Sequence, residues 1–300
     1  MFANSIEIAK GYTRCMKSIM RGYGSNEITR CCSTFIIVND EGWVLTCKHI
    51  VEGLLIPADT INPQYMNFKQ ERSQISALPN GKQKKAIEVL EKKYGYYKSA
   101  APTVQLLNMI LHDIDMSKGY RCYIHPSYDL ALIKFEGLNH TQCNNFPIFM
   151  DDTSHLRQGL SLCRLGFPFA EFTDYQYNAQ TDNLEWIGGG IATSPCFTVD
   201  GILTRFVNDE KGVKFGIELS TPGLIGQSGG PLFDRNGVVC GLQFETVSIP
   251  LGFDQVNQEI VVNRKKKKVS NYPFMHLGRC IHVDIIKQFM NENNVKYQVG

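Results

Sequence analysis

The feature that most constrains this chain is a series of short apolar segments, separated from one another by glycine-rich or polar turns. Segments of this length, rich in β-branched and aromatic residues, are typical of strands and too short for most helices. They lie at 33–38, 43–47, 130–135, 160–165, 185–192, 213–219, 237–244 and 258–262. Many short strands with Gly-rich turns indicate a β-sandwich or β-barrel, so we expect a mainly β protein. The polar stretch 39–42 predicts a hairpin between the first two strands.

Two parts of the chain have helical rather than strand-like periodicity. Residues 55–120 contain two segments, 82–97 and 103–114, in which apolar residues recur at helical spacing. The apolar positions are Ile87, Leu90, Tyr94 and Tyr97 in the first, and Leu107, Ile110, Leu111 and Ile114 in the second. Because strand-like sequence resumes on both sides, we expect a helical insertion and not a separate domain. The tail 282–295 predicts a C-terminal amphipathic helix, and 1–30 is expected to be partly helical.

Size and charge exclude several classes of protein. The chain has 300 residues, of which 43% are hydrophobic, enough for one large or two small domains. A net charge of +2 points to neither nucleic acid nor membrane, and no apolar run is long enough for a transmembrane span. The N-terminus lacks the apolar region of a secretory signal. The basic run 264–268 lies between strand-like segments and is interpreted as a solvated hairpin tip.

The ten cysteines indicate a reducing compartment. Their spacing is irregular, and Cys47, Cys163 and Cys240 lie inside apolar strand-like runs, where a free thiol packs as a small hydrophobe. No paired pattern of zinc-binding cysteines is present. His112, Asp113 and Asp115 could supply metal ligands, but no second motif accompanies them, so we expect neither a metal nor another cofactor.

The stretch GLIGQSGGPLF places one serine, Ser228, among four glycines. G-x-S-x-G also marks the nucleophile of α/β-hydrolases, in which the acid and the histidine follow the serine. Only 72 residues follow Ser228, and regular strand–helix alternation is missing upstream, so that fold is disfavoured. The other common order is histidine, acid, serine. His49 lies at the end of an apolar strand, and Asp129 comes directly before another, where a carboxylate needs a partner.

Four stretches together resemble the trypsin-like (chymotrypsin-fold) serine proteases, nearer the HtrA/Deg type than the digestive enzymes. They are STFIIVNDEGWVLTCKHIVEG (33–53), HPSYDLALIKF (125–135), LCRLGFPF (162–169) and GIELSTPGLIGQSGGPLFDRNGVVCGLQ (216–243). The resemblance implies two six-stranded β-barrels with the active site between them. Ile50 replaces a cysteine of the digestive enzymes, so the resemblance does not support their disulfide beside the histidine. Gln227 replaces their aspartate, so the resemblance does not support zymogen activation either. HtrA-type proteins usually append a PDZ domain, but the residues after Ser228 are needed for the second barrel, so we expect none here.

The resemblance also implies a role for each site residue. His49 would be the general base, Asp129 would orient it, and Ser228 would be the nucleophile. The backbone N–H groups of Gly226 and Ser228 would form the oxyanion hole. The substrate-binding residues would be Pro222, Gly223, Leu224, Phe244, Glu245 and Thr246. Because Pro222 replaces the aspartate at the pocket floor, we expect an uncharged side chain at P1, the substrate residue before the cleaved bond, unless Glu245 turns inward.

The sequence therefore predicts a serine endopeptidase that cleaves protein or peptide substrates in the cytoplasm. The expected parts are an N-terminal segment 1–30, a first barrel 31–150 with an insertion at about 55–120, and a second barrel with the C-terminal helix at 151–300. Because zymogen chemistry is not supported, we expect control by loops or by a regulatory partner at the insertion, and no nucleic-acid or membrane partner. The alternative is a catalytically idle relative that serves as a binding module.

Overall fold

The computed structural model describes residues 2–97, 99–110, 114–139, 143, 145–262 and 264–300. Its α-helices are α1 (Ala3–Tyr12), α2 (Lys48–Ile50), α3 (Ile56–Ile75), α4 (Asn80–Tyr94) and α5 (Val283–Glu292). A π-helical turn, Val51–Leu55, joins α2 to α3, and short 3-10 turns lie at Met116–Lys118 and Thr153–His155. Within the described ranges, no helix combines the length and apolar character needed to cross a membrane.

The first sheet is antiparallel and has six strands in the described part of the chain. These are β1 (Thr13–Gly22), β2 (Ile28–Ile37), β3 (Trp43–Thr46), β4 (Thr103–Ile110), β5 (Tyr120–Ile124) and β6 (Ala131–Phe135). Their order is β4-β1-β2-β3-β6-β5. No strand pairing among the described residues joins β4 to β5, so the sheet is an open, barrel-like half.

The second sheet contains a closed ring. The remaining strands are β7 (Ile148–Phe149), β8 (Ser161–Gly166), β9 (Tyr175–Asn178), β10 (Asn183–Trp186), β11 (Phe197–Asn208), β12 (Lys214–Leu219), β13 (Pro231–Phe233), β14 (Val239–Pro250), β15 (Gln255–Val262), β16 (Lys265–Asn271), β17 (Phe274–His282) and β18 (Gln298–Val299). Eight of these described strands form this sheet, and β9 with β10 and β15 with β16 form two separate pairs. The order β13-β8-β11-β12-β17-β14 closes because β14 also pairs with β13, while β7 and β18 extend the edge. The predicted mainly β fold with two barrel-like sheets is confirmed.

One hydrophobic core runs through both sheets and the C-terminal helix. It includes Leu45 and Leu132 from the first sheet, Leu165 and Leu242 from the second, and Ile286 from α5, all fully or almost fully buried. Residues three or four apart on α5 face this core, as an amphipathic helix requires. The predicted C-terminal helix is confirmed, over a shorter range than 282–295.

Two predictions about local structure need correction. The segment 103–114 was expected to be helical, but Thr103–Ile110 is strand β4, which pairs with β1. Pairing with β1 overrides the helical spacing, and Val104, Leu106 and Ile110 are buried in the strand conformation. The expected strand at 185–192 ends at Trp186, shortly before a run of glycines. The expectation that 1–30 is partly helical is confirmed by Ala3–Tyr12, and Thr13–Gly22 is the second strand of the first sheet in spatial order.

The helical insertion consists of α3 and α4 and is docked on the rest of the protein. Phe68 is fully buried in an aromatic cluster with Tyr23, Tyr65, Tyr94 and Tyr96. The insertion follows directly from the helix that contains His49 and returns to the sheet at Thr103, whose partner is Gly22. It is therefore a folded unit between β3 and β4, shorter than the predicted range.

The basic run lies on an exposed hairpin. Strands β15 and β16 pair only with each other among the described residues, and Lys265 to Lys268 are exposed along β16. Arg264, at the turn, has a left-handed backbone with φ of 61°. The run 264–268 is exposed on a hairpin, as predicted, but of its residues Arg264 alone lies at the tip and the lysines lie along β16.

Candidate active site

His49 and Asp129 are brought together by two neighbouring strands. Thr46 at the end of β3 pairs with Ala131 at the start of β6, so the residues that flank these positions are adjacent. His49 Nδ1 lies 2.6 Å from Asp129 Oδ2, and the His49 backbone N–H donates to Asp129 Oδ1 at 2.9 Å. With both oxygens engaged, the carboxylate fixes the position and orientation of the imidazole. The His49 side chain is 51% exposed, so its other nitrogen is accessible.

Ser228 lies in the loop between β12 and β13, where glycine is structurally required. Gly226 and Gly229 have φ of 95° and 86°, in the left-handed region that favours glycine. A Cβ on Gly229 would also overlap the Thr34 carbonyl and the Thr46 hydroxyl. The glycines around Ser228 therefore permit both an unusual backbone and close contact with the first sheet.

One carbonyl group connects the Ser228 loop to the His49 segment. The Gln243 carbonyl accepts a hydrogen bond from the Gly229 N–H at 2.8 Å and from Cys47 Sγ at 3.2 Å. In addition, the Thr34 N–H donates to the Ser228 carbonyl at 3.1 Å. The two predicted catalytic segments thus share a rigid support at the junction of the sheets. The Ser228 side chain is half-buried, and its hydroxyl makes no hydrogen bond within the described residues, including to His49.

The backbone near Ser228 presents two free donors. Among the hydrogen bonds of the described residues, neither the Gly226 N–H nor the Ser228 N–H has an acceptor. The Gly226 carbonyl is held by the Thr34 hydroxyl at 2.6 Å. The Gln227 side chain is buried and accepts from the Leu224 N–H at 3.0 Å. These contacts hold the peptide groups on either side of the free donors, an arrangement suited to binding a negatively charged oxygen.

The predicted substrate-binding residues lie on two facing segments. The Thr246 hydroxyl donates to the Gly223 carbonyl at 2.8 Å, which joins the loop 222–224 to strand β14. From Phe244 onward, β14 pairs with β17 on one side, and no described strand pairs with its other side. An open strand edge of this kind can accept an extended peptide. Glu245 is exposed and lies 3.3 Å from Arg279.

Sequence reasoning missed a residue beneath this region, Arg164 in β8. It is fully buried and donates to the Thr221 and Pro222 carbonyls and to the Gln243 side chain. The signal was present as a single charge inside the apolar segment LSLCRL. Only the pairing of β8 with β13 places that charge behind the Ser228 loop.

Within the described residues, one group of side chains has donor atoms close enough for a shared metal ion. The atoms belong to Cys47, His49 and Asp129 and lie within 4.8 Å of one another. Burial, and then the charge of Asp129, raises the pKa of the Cys47 thiol well above its usual value. A protonated thiol that donates to Gln243 fits a hydrogen-bonded cluster better than a ligand set. His112 and Asp113 lie outside the described residues, and Asp115 caps the turn at Ser117.

Comparisons with known proteins identify the family of this chain. Residues 32–242 match the family model described as "Trypsin-like peptidase domain". Among solved structures, a variant of the HtrA-type protease AlgW with a decapeptide is 13% identical with a TM-score of 0.47, and the alignment covers 100% of this chain and 68% of that one. AlgW with a decapeptide is 12% identical with a TM-score of 0.47, covering 97% and 67%. A search of curated proteins finds no match to the chain.

Proposed function

Because the chain belongs to the trypsin-like peptidase family, we propose that it is a serine endopeptidase with His49, Asp129 and Ser228 as its catalytic triad. The observation that carries the proposal is the double contact of Asp129 with His49, at 2.6 Å and 2.9 Å. A carboxylate bound to Nδ1 selects the imidazole tautomer whose Nε2 is free to accept a proton. Gln243 fixes the Ser228 loop against the same segment.

In this mechanism His49 takes the proton of Ser228 as its oxygen attacks the scissile carbonyl carbon. The negative charge that develops on the carbonyl oxygen is stabilised by the N–H groups of Gly226 and Ser228. His49 then gives its proton to the leaving amine, and water hydrolyses the acyl-enzyme by the same steps. One oxyanion donor is worth about 3 kcal/mol of transition-state stabilisation.

The substrate is proposed to bind as an extended strand along Phe244, Glu245 and Thr246, with its P1 side chain directed toward the loop Pro222–Leu224. The open edge of β14 supports this placement. Pro222 provides no negative charge for a Lys or Arg side chain, so the pocket is proposed not to select basic residues. Phe244 is half-buried and its ring lies 6.5 Å from that of Phe215, which gives the site an apolar border.

The proposal has two further parts. The first is that a partner regulates the protease through the insertion, and the second is that the protein works in the reducing cytoplasm. The insertion begins six residues after the short helix of His49, and it exposes Met66 (60%) and Val89 (63%), which a partner could cover. Cys47 and Cys240 are buried free thiols, which supports a reducing compartment. A partner that binds the unaltered chain and binds the Met66→Asp or Val89→Asp chain more weakly would support regulation through the insertion.

A second candidate function is a catalytically idle binding module. The observation that favours it is that the Ser228 hydroxyl makes no hydrogen bond to His49 among the described residues. Catalytic hydrogen bonds are often loose without substrate, so this observation does not outweigh the paired His49 and Asp129.

Cleavage of a denatured protein by the purified chain tests the proposal. Ser228→Ala and His49→Ala are each expected to lower kcat by on the order of 10⁶, because a triad acts as a unit. The matched control is Ser248→Ala, since Ser248 lies 2.9 Å from His276 in a second serine–histidine pair on the exposed extension of β14 and β17. Turnover by purified Ser228→Ala at the level of the unaltered chain would refute the triad.

A further inference from the structure

Arg164 is a buried charge without an opposite charge beside it. Its side chain is fully buried, and burial lowers its pKa from the usual value. In the described part of the chain its partners are neutral oxygens, and its Nε has none. By contrast, buried Lys17 pairs with Asp174 at 2.5 Å and buried Arg21 pairs with Asp182 at 2.7 Å. A buried charge without an opposite charge is strongly destabilising, so a purely structural reason for it is weak.

The Arg164 guanidinium connects the two segments proposed to form the walls of the P1 pocket, the loop 222–224 and the strand residues 244–246. Nη2 donates to the Thr221 carbonyl at 2.9 Å and to the Pro222 carbonyl at 3.1 Å, behind the first wall. Nη1 donates to Gln243 Oε1 at 2.5 Å, next to the second wall. Space for the guanidinium depends on Gly278, since a Cβ there would overlap it. The charge therefore lies behind both segments proposed to form the P1 pocket.

Arg164 also determines which end of the Gln243 amide faces the pocket. A guanidinium has only donors, so the Gln243 atom that contacts it must be the oxygen. The Gln243 Nε2 group therefore points the other way, where it donates to the Glu245 carbonyl at 2.8 Å and lies against Gly223. An amide nitrogen has two hydrogens, and the second makes no hydrogen bond among the described residues. Because Arg164 holds the oxygen of this buried amide, the end that lies against Gly223 is a donor and not an acceptor.

The neighbouring arginines of the second sheet do have carboxylate partners. Arg205 and Arg279 surround the buried carboxylate of Glu218, and Arg279 also contacts Glu245. Among the described residues Arg164 has no such partner, so a carboxylate bound near it would supply the missing opposite charge.

We propose that Arg164, acting through the Gln243 amide, makes the P1 pocket select an acidic side chain, glutamate or aspartate. The inference rests on the proposed protease function. It differs from the uncharged P1 residue expected from Pro222, because that expectation took no account of the charge behind the floor. Arg164 is a positioning residue here: it is too buried to touch the substrate, and it sets the orientation of Gln243 and the local potential.

Peptide substrates that differ only at P1 test the preference. For otherwise identical fluorogenic peptides with Glu, Gln, Leu or Lys at P1, kcat/KM for Glu is expected to exceed that for Gln by about tenfold or more, a size typical of a charge-matched contact. Suppose that Ser228 reacts with a fluorophosphonate but kcat/KM for the Gln or Leu peptide equals or exceeds that for the Glu peptide. That result would overturn this inference and leave the protease function standing. A folded chain that neither reacts nor cleaves any peptide would overturn the protease function and this inference together.

Gln243→Glu provides the sharper variant, because it places a carboxylate on Arg164 and balances the charge without removing the arginine. The Glu-to-Gln ratio of kcat/KM is expected to fall by about tenfold or to reverse. Arg121→Gln is the control, since Arg121 is an exposed arginine paired with Glu136 in the first sheet, and its ratio should match that of the unaltered chain. A Gln243→Glu chain that keeps its preference for Glu at P1 would contradict the role of Arg164, as would an Arg164→Met chain with an unchanged ratio.

Discussion

Asp129 contacts His49 at two points: one carboxylate oxygen lies 2.6 Å from the ring Nδ1, and the other accepts the backbone N–H at 2.9 Å. The backbone contact holds one carboxylate oxygen independently of the ring, so the other oxygen stays directed at Nδ1. Asp129 can therefore be tested by a substitution that keeps its shape and removes its charge.

Asp129→Asn is expected to keep the fold and to lower kcat by about 10³ to 10⁴, because an amide that donates to Nδ1 would favour the wrong imidazole tautomer. Steady-state kinetics on a cleavable peptide, with far-UV circular dichroism as the check on folding, provides the measurement. Asp115→Asn is the control, since that aspartate caps a turn away from His49. Less than a tenfold loss for Asp129→Asn would be inconsistent with the proposed triad.

Cys47 and Cys240 are expected to resist alkylation in the native protein. Both are fully buried, and burial raises the pKa of each thiol well above its usual value, so little reactive thiolate forms. Iodoacetamide treatment followed by peptide mass mapping should modify them only after denaturation. Half-buried Cys196 serves as the comparison within the same chain. Rapid native modification of Cys47, or a disulfide at either position, would refute the prediction.

The aromatic cluster is expected to hold the insertion on the sheet. Phe68→Ala removes a fully buried ring that contacts Tyr23, Tyr65, Tyr94 and Tyr96, so the free energy of unfolding should fall by about 3–5 kcal/mol. Urea denaturation measures the change.

Val89→Ala is the control for this loss, because Val89 is 63% exposed on the same insertion and its truncation should leave stability nearly unchanged. A change below 1 kcal/mol for Phe68→Ala would mean that the cluster does not contribute to stability.

Stability is expected to fall on mild acidification because of His282. Burial lowers the pKa of His282 to about 4, with Lys214 and Lys287 adding to the effect and Asp284 opposing it. The unfolded chain binds this proton near pH 6.5 and the folded chain only near pH 4, so the contribution is complete above pH 6.5 and is lost as pH falls toward 4. The loss by pH 4 should be on the order of 3 kcal/mol.

His282→Asn should flatten this part of the pH profile. Asparagine does not titrate, yet its oxygen can accept from the Asp284 N–H, as His282 Nδ1 does at the start of α5. Urea denaturation at pH 7, 6, 5 and 4 makes the comparison. If the free energy of unfolding falls equally with pH in the unaltered chain and in His282→Asn, groups other than His282 cause the acid sensitivity.

Sequence reasoning identified His49, Asp129 and Ser228 because each lies in a distinctive local context: a strand end, the residue before a strand, and a glycine-rich loop. The structure places the first two in contact and the third on a shared support. Arg164 could not be predicted, because its importance depends on which strands become neighbours in the second sheet. The segment 103–110 was misassigned since its apolar residues fit a helix as well as a half-buried strand, and only pairing with β1 decides between them.

The most direct test of the account is the intact mass of the purified chain after reaction with a fluorophosphonate. The account predicts a single adduct per chain, located on Ser228 by peptide mapping, with the same yield for Ser248→Ala and none for Ser228→Ala or for denatured protein. His49→Ala should slow the reaction by several orders of magnitude, because the base that activates Ser228 is removed. A folded chain that forms no adduct, or forms one at a residue other than Ser228, would contradict the central claim.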